Sequence, residues 1–143
     1  MITTKTNTIS IETRINAPIQ KVWTLWHDPG HIIHWNNASE DWHTPYAEND
    51  FKEGGRFLSR MEAKDGIVGF DFSGVYDKII PHQLIEYTID DGRKVSVSFE
   101  SEDNKTLIRE SFEAEKTNSM EMQREGWQAI LDNFKKYAET SVH

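Results

Sequence analysis

The chain has 143 residues, no cysteine, and 24 acidic residues against 16 Lys and Arg, which gives a formal net charge of −8. A chain of this length buries about 70% of the surface that it exposes when unfolded, so we expect a single domain over residues 1–143 with its own core. The negative charge argues against a nucleic acid or an anionic membrane as partner, and the absence of cysteine excludes disulfides and thiolate chemistry.

The N-terminal part of the chain predicts a strand followed by two short helices. Residues 1–10 contain no signal peptide, and no apolar run reaches the roughly 20 residues of a membrane span, so we expect a cytoplasmic protein. Apolar and polar residues alternate over 8–15, as in a half-buried strand. Pro18 then suits the first position of a helix whose apolar stripe begins at Ile19. The segment 28–30 ends that helix, and a second short one follows.

The middle of the chain predicts a long loop and then antiparallel hairpins. Residues 36–54 are irregular, with a short strand near 47–51. Turn signals such as Asp90-Asp91-Gly92 recur without an intervening helix, which favours hairpins over βαβ units. The predicted strands are 56–61, 66–80, 84–89, 94–99 and 106–112.

The C-terminal segment predicts a long helix. Asn118 and Glu121 have the spacing of a capping box, and an apolar stripe follows over residues 127–137. Gly126 and Ala129 lie beside this stripe and leave room there. The element order therefore predicts an α+β fold in which a curved antiparallel sheet wraps around a long C-terminal helix, with a gap between them for a ligand.

The order and spacing of several segments resemble those of a known superfamily. These segments are Asn16-Ala17-Pro18, Val22-Trp23, Asp28-Pro29, Trp35, Gly54-Gly55-Arg56-Phe57, residues 61–66, Gly74-Val75-Tyr76, residues 81–87 and Gly126-Trp127. Over roughly residues 8–140 the chain resembles the SRPBCC superfamily (START-like, helix-grip, Bet v 1-like), and within it the AHSA1-like branch, named for the activator of Hsp90 ATPase.

The resemblance implies a helix-grip fold that encloses a hydrophobic cavity. Members of the superfamily bind lipids, sterols, polyketides or plant hormones, and some catalyse cyclisation or aromatisation. The AHSA1-like branch has no shared catalytic residue set, so no catalytic residue is carried over. The eukaryotic Hsp90 activator also uses a separate N-terminal domain, which a chain of this length does not accommodate. This difference weakens a chaperone interpretation.

Aromatic and methionine side chains supply the strongest functional signal, because strand alternation directs many of them at one interior. Ordinary core packing is the alternative explanation for each of them. Trp35 and Trp42 bracket the irregular loop, where they either form the mouth of a cavity or pin the loop to the core. The candidate ligand-binding residues are Trp35, Trp42, Phe57, Ser59, Met61, Phe70, Phe72, Tyr76, Tyr87, Ile108, Glu110, Phe112, Met122, Trp127 and Ile130.

Glu110 is the candidate with the most distinctive chemistry, because it shares strand parity with Ile108 and Phe112 and should point inward. A buried carboxyl group must be paired, hydrogen-bonded or protonated. It would then anchor a ligand hydroxyl or act as a general acid; the alternatives are a rim position or a buried pair with an Arg or Tyr. His27 and His31 have a metal-ligand spacing, but 29–30 interrupts the helix between them, so we predict no metal site and no cofactor.

The sequence as a whole favours a carrier or sensor that binds a lipid-, polyketide- or flavonoid-like molecule in an internal cavity. One alternative is a polyketide cyclase-like enzyme that uses the same cavity, although the sequence offers only Glu110 as an acid. Another is a module that interacts with an Hsp90-type chaperone, which predicts an exposed apolar patch and a filled interior. We expect a monomer or a weak dimer.

Overall fold

The computed structural model describes residues 8–140, and its sheet confirms the predicted α+β helix-grip architecture. Its elements are β1 (Thr8–Ile15), α1 (Ile19–His27), α2 (Pro29–Trp35), β2 (Trp42–Asn49), β3 (Arg56–Ala63), β4 (Gly69–Ile80), β5 (Leu84–Ile89), β6 (Lys94–Glu102), β7 (Lys105–Glu113) and α3 (Met120–Thr140). The strands form one curled antiparallel sheet in the order β1-β7-β6-β5-β4-β3-β2. No helix within the described range is long and apolar enough to cross a membrane.

β1 is the strand that completes the sheet, because it pairs with β7 rather than with its neighbours in sequence. Ile11 lies opposite Glu110, and Ile9 lies opposite Phe112. Beyond the strand, the hydroxyl of Thr106 donates a hydrogen bond of 2.8 Å to the carbonyl of Ala17. The remaining pairs join consecutive strands, as the turn signals predict.

Rings from both short helices fill the space between the sheet and one part of α3. The ring of Trp26 lies 4.9 Å from that of Phe134 on α3 and 5.0 Å from that of Trp35 on α2. Trp23 meets Phe99 of β6 at 5.1 Å. Aromatic pairs in such edge-on arrangements add to the stabilisation that burial alone provides. This cluster fixes the helices on the sheet and so defines one wall of the space beside it.

The structure corrects three predicted element boundaries. β2 begins at Trp42, well before the predicted strand, because its pairing with β3 continues past a bulge. Pro18 precedes α1 instead of opening it: its ψ is 153°, and its carbonyl accepts the first helical hydrogen bond. The capping prediction for Asn118 is wrong, since the Ser119 hydroxyl accepts the N–H of Met122 at 3.0 Å and caps α3.

Gly126 offers a test of the packing around α3. It is half-buried inside the helix, and a Cβ atom built there meets nothing within 4 Å. Since glycine inside a helix costs about 1 kcal/mol relative to alanine, we expect Gly126→Ala to raise the free energy of unfolding by about that amount in urea denaturation. A neutral or negative change would show that the space beside α3 is smaller than described.

Gly74 provides the matched control for that substitution. A Cβ at this position comes within 2.3 Å of the Thr88 carbonyl oxygen and 3.0 Å of the Phe57 ring. Backbone cannot yield cheaply at such a distance, so Gly74→Ala should lower the free energy of unfolding where Gly126→Ala raises it.

Candidate ligand-binding cavity

A cavity of about 290 Å³ lies between the concave face of the sheet, the two short helices and α3. Aromatic side chains dominate its walls. It is lined by Trp26, Ile32, Trp35, Asn36, Phe57, Ser59, Met61, Phe70, Phe72, Tyr76, Ile85, Tyr87, Arg93, Glu110, Trp127 and Ile130.

The space exists because small residues stand at inward positions of the sheet. Ser59 is the inward residue between Phe57 and Met61 on β3, and it has Phe72 as its cross-strand partner. Gly74 on β4 supplies no side chain, and the Phe57 ring covers it. Alternate residues of a strand face the same side, so Ser59 leaves unfilled volume beneath α3, whereas at Gly74 the Phe57 ring occupies the space over the glycine.

The sequence locates most of the cavity lining, since eleven of the candidate residues border the cavity. Ligand contact by these residues stays a prediction. The eleven are Trp35, Phe57, Ser59, Met61, Phe70, Phe72, Tyr76, Tyr87, Glu110, Trp127 and Ile130.

Four candidates lie outside the lining, and each does so for a definite packing reason. Ile108 is fully buried in the core. Phe112 stacks on Trp127, with ring centroids 3.9 Å apart, so Trp127 stands between it and the cavity. Met122 is 59% exposed near the start of α3. Trp42 packs against Phe70 at 5.9 Å, on the outer side of that ring.

Five residues of the lining are not among the candidates from the sequence: Trp26, Ile32, Asn36, Ile85 and Arg93. Ile85 has the same strand parity as Tyr87, so its inward direction is predictable from the sequence. Trp26 and Ile32 belong to apolar stripes of helices, and such a stripe indicates core packing rather than a cavity wall. Asn36 and Arg93 lie beyond the ends of regular elements, where no periodicity indicates direction.

Trp35 combines the two roles that the sequence left open for the aromatic residues of the loop. Its indole N–H donates to the Leu25 carbonyl at 3.0 Å, which anchors the end of α2. The Asn133 amide of α3 donates to the Trp35 carbonyl at 2.8 Å and holds the same corner. The ring of Trp35 also borders the cavity, so the wall on this side is fixed by hydrogen bonds as well as packing.

Glu110 is buried, as its strand parity predicts, with only 6% of its surface exposed. Among the described residues its side chain has no hydrogen bond and no ion pair, so the alternatives of a rim position and of a buried Arg partner are wrong, while Tyr87 lies near enough to interact with it electrostatically. Burial raises the pKa of the Glu110 carboxyl group from 4.5 to about 8. The carboxyl group therefore keeps its proton at neutral pH.

Two further buried side chains, which carry hydroxyl groups, also lack a hydrogen-bond partner. Tyr87 is 8% exposed and Ser59 is 6% exposed, and neither side chain has a hydrogen-bond partner among residues 8–140. Within that range, every side-chain oxygen or nitrogen that is wholly enclosed does have a partner. The unpartnered oxygens of Ser59, Tyr87 and Glu110 must therefore reach the cavity. Burial, and next the nearby Glu110, raise the pKa of the Tyr87 phenol well above its ordinary value.

The side chains of Tyr76 and Arg93, which also line the cavity, are already engaged in hydrogen bonds. The Tyr76 hydroxyl donates to the Asn49 side-chain oxygen at 2.7 Å, and burial raises the pKa of this phenol well above its ordinary value. The Arg93 guanidinium bonds to the Asp91 carboxylate at 2.9 Å and to the Glu113 carbonyl at 3.3 Å. Because the Arg93 guanidinium is paired with Asp91, it is not available as a positive charge for a group in the cavity.

The histidines of the first two helices make packing contacts. His27 stacks on Phe51 with ring centroids 4.1 Å apart, and burial lowers the pKa of its imidazole. The His31 Nδ1 lies 2.7 Å from the Tyr137 hydroxyl oxygen. Over residues 8–140 no group of three or more His, Cys, Asp or Glu side chains is arranged to hold a metal ion.

A curled antiparallel sheet that grips a long helix around a cavity places this chain in the helix-grip class. The profile described as "Activator of Hsp90 ATPase homolog 1-like protein" matches residues 16–139, and the chain belongs to that family. This finding confirms the resemblance seen in the sequence. No curated protein matches the chain.

Solved structures agree with this assignment. The solution structure of an AHSA1-like protein from Aeromonas hydrophila is 44% identical, covers 96% of this chain and 99% of its own, and has a TM-score of 0.87. A Cytophaga hutchinsonii protein is 49% identical, with coverage of 95% and 97% and a TM-score of 0.81. The Aha1 dimer from Colwellia psychrerythraea shares the fold at 16% identity, with coverage of 94% and 97% and a TM-score of 0.75.

The protonation of Glu110 predicts how stability depends on pH. Between pH 4.5 and about 8 the folded protein holds a proton on Glu110 that the unfolded chain has lost. Stability is therefore fully present below this range and falls as the pH rises through it, by up to about 5 kcal/mol. Glu110→Gln should remove this fall and be the more stable protein at pH 9 in urea denaturation.

Glu100→Gln is the control for that measurement, because Glu100 lies exposed on β6. This variant should follow the pH dependence of the unmodified protein. Parallel curves for the unmodified protein and Glu110→Gln would show that Glu110 is ionised in the folded state.

Proposed function

We propose that this protein binds an apolar small molecule in the cavity between the sheet and α3, as a carrier or sensor. The observation that carries the proposal is the unfilled volume of about 290 Å³ within an otherwise close-packed domain. Natural interiors hold few voids of this size, and an aromatic pocket with a few convergent polar groups is the usual form of a ligand site.

The cavity volume indicates the size of the ligand. Ligand sites commonly enclose about 300–1,000 Å³, and this cavity lies at the lower end of that range. It suits a molecule of one to three rings better than a sterol or a long acyl chain. Burying about 300 Å² of apolar ligand surface gains roughly 7 kcal/mol before the cost of association. We therefore expect weak to moderate affinity unless polar groups add to it.

An NMR titration of the isotope-labelled protein tests the proposal with aromatic ketones, flavonoids, fatty acids and sterols. Saturable amide shifts should appear for small ring compounds and cluster on β3, β4 and the part of α3 around Trp127. Ile130→Phe places a larger side chain into the cavity and should weaken binding about tenfold or more, since a ligand cannot share the filled volume.

Ile33→Phe is the matched control for Ile130→Phe, because Ile33 is 36% exposed on α2 and does not line the cavity. It should leave the dissociation constant unchanged. Absence of shifts with every compound, or equal effects of the two substitutions, would contradict a binding site in the cavity.

An interaction surface for a protein partner is the second candidate, and the β3–β4 hairpin favours it. Ile67 is 80% exposed, Val68 is 53% exposed and Phe70 is 46% exposed. Adjacent apolar side chains in solvent often mark a protein contact. If association with a protein partner is the function, Ile67→Asp should abolish the complex with that partner, as measured by sedimentation velocity. Ile130→Phe should leave the complex intact.

A further inference from the structure

Two of the unpartnered side chains, Tyr87 and Glu110, belong to the cavity lining and stand on strands that are separated by one strand. Tyr87 is on β5 and Glu110 is on β7, and only β6 lies between these strands. Val97 of β6 is the cross-strand partner of both Glu110 and Ile85, which places Tyr87 two residues further along. Two strand spacings and the offset of two residues together separate the backbones by roughly 12 Å. The two groups are near enough to interact electrostatically and both border the cavity, so a single ligand atom between them would be within reach of the phenol and the carboxyl group.

The charged and titratable groups around this gap make both members hydrogen-bond donors. The titratable lining residues are Tyr76, Tyr87, Arg93 and Glu110. Tyr76 is bonded to Asn49 and Arg93 to Asp91, so neither supplies a counter-ion to Glu110. Without a counter-ion, a carboxyl group in an apolar site stays protonated and donates. The Tyr87 phenol keeps its proton for the same reason.

We propose that Tyr87 and protonated Glu110 donate hydrogen bonds to one oxygen of an uncharged, ring-containing ketone or enone, which the cavity thereby selects over ligands of similar shape. This inference rests on the proposed function and names the chemical class of its ligand. Ser59 on the opposite side, 6% exposed and unpartnered, can hold a second polar substituent.

Charged ligands fit the same groups less well. A carboxylate needs a cation in the interior, and the Arg93 guanidinium is already paired with Asp91. An ammonium group requires Glu110 to lose its proton, although the surrounding rings would then attract the cation. The two chemistries give opposite responses to pH. A ketone binds best while Glu110 is protonated, whereas an ammonium ligand binds better as Glu110 ionises.

The test uses probes of one shape. 2-Acetylnaphthalene and 2-ethylnaphthalene differ only in the carbonyl oxygen; 2-naphthoate and 1-(2-naphthyl)ethylamine carry the charged alternatives. Dissociation constants are measured by NMR titration at pH 6.5 and pH 9.5. At pH 6.5 the ketone should bind roughly tenfold or more tightly than the hydrocarbon, as expected for two hydrogen bonds. At pH 9.5 ionised Glu110 no longer donates, and this advantage should disappear.

Three variants assign the effect to the two donors. Tyr87→Phe should reduce the ketone's advantage severalfold without changing hydrocarbon binding, whereas Tyr46→Phe, on the exposed edge strand, should change neither. Glu110→Gln keeps an N–H donor and should retain the advantage at both pH values. Glu110→Met removes one of the two donors and should reduce the advantage severalfold at both pH values. A spectrum of the folded protein for each variant separates these effects from misfolding.

The outcomes separate this inference from the proposed function. If ketone and hydrocarbon bind equally, the cavity is a ligand site but the donor pair is overturned. If the ammonium probe binds most tightly and gains affinity toward pH 9.5, the site prefers cations and the inference is overturned in their favour. If none of the four probes binds to the folded protein, the inference fails together with the cavity as a binding site for ring compounds.

Discussion

Pairing between the first strand and the last determines the rest of this structure. The register that sets Ile11 opposite Glu110 turns Glu110 to the concave face, where its neighbours are apolar. Side chains alternate along a strand, so a shift of one residue would send Glu110 to solvent and put Arg109 inside. The same pairing adds β1 to the sheet, and α3 packs against β1 at this edge.

The open space in the interior lowers the stability of the fold, because it removes packing contacts and leaves polar groups without partners. A volume of about 290 Å³ forgoes packing contacts, and the unpartnered Glu110 forgoes a hydrogen bond that a buried carboxyl group would ordinarily make. Aromatic packing around Trp26, Trp35 and Phe134 offsets part of this loss next to the cavity. The carboxyl and hydroxyl groups of Glu110, Tyr87 and Ser59 are left without a protein partner at the edge of this space.

How much the sequence predicts depends on whether a residue lies within a periodic element. Strand parity placed Glu110 and Ser59 correctly, because an inward direction repeats every second residue. Phe112 has the right parity, but Trp127 stacks over it, and sequence alone does not show such tertiary stacking. Arg93 and Asn36 follow the ends of elements, where direction depends on the turn. The cavity volume arises where an inward residue is small, and a pattern of apolar side chains does not show how much space remains unfilled.

The distance in sequence between β1 and β7 has a consequence for synthesis on the ribosome. Residues 8–15 emerge first, yet their partners at 105–113 emerge only after most of the chain has been made. The successive hairpins from β2 to β7 can form as they appear, whereas β1 must wait with its apolar face uncovered. The cavity is thus the last part of the molecule to be completed, since it has no closed wall before α3 has left the tunnel.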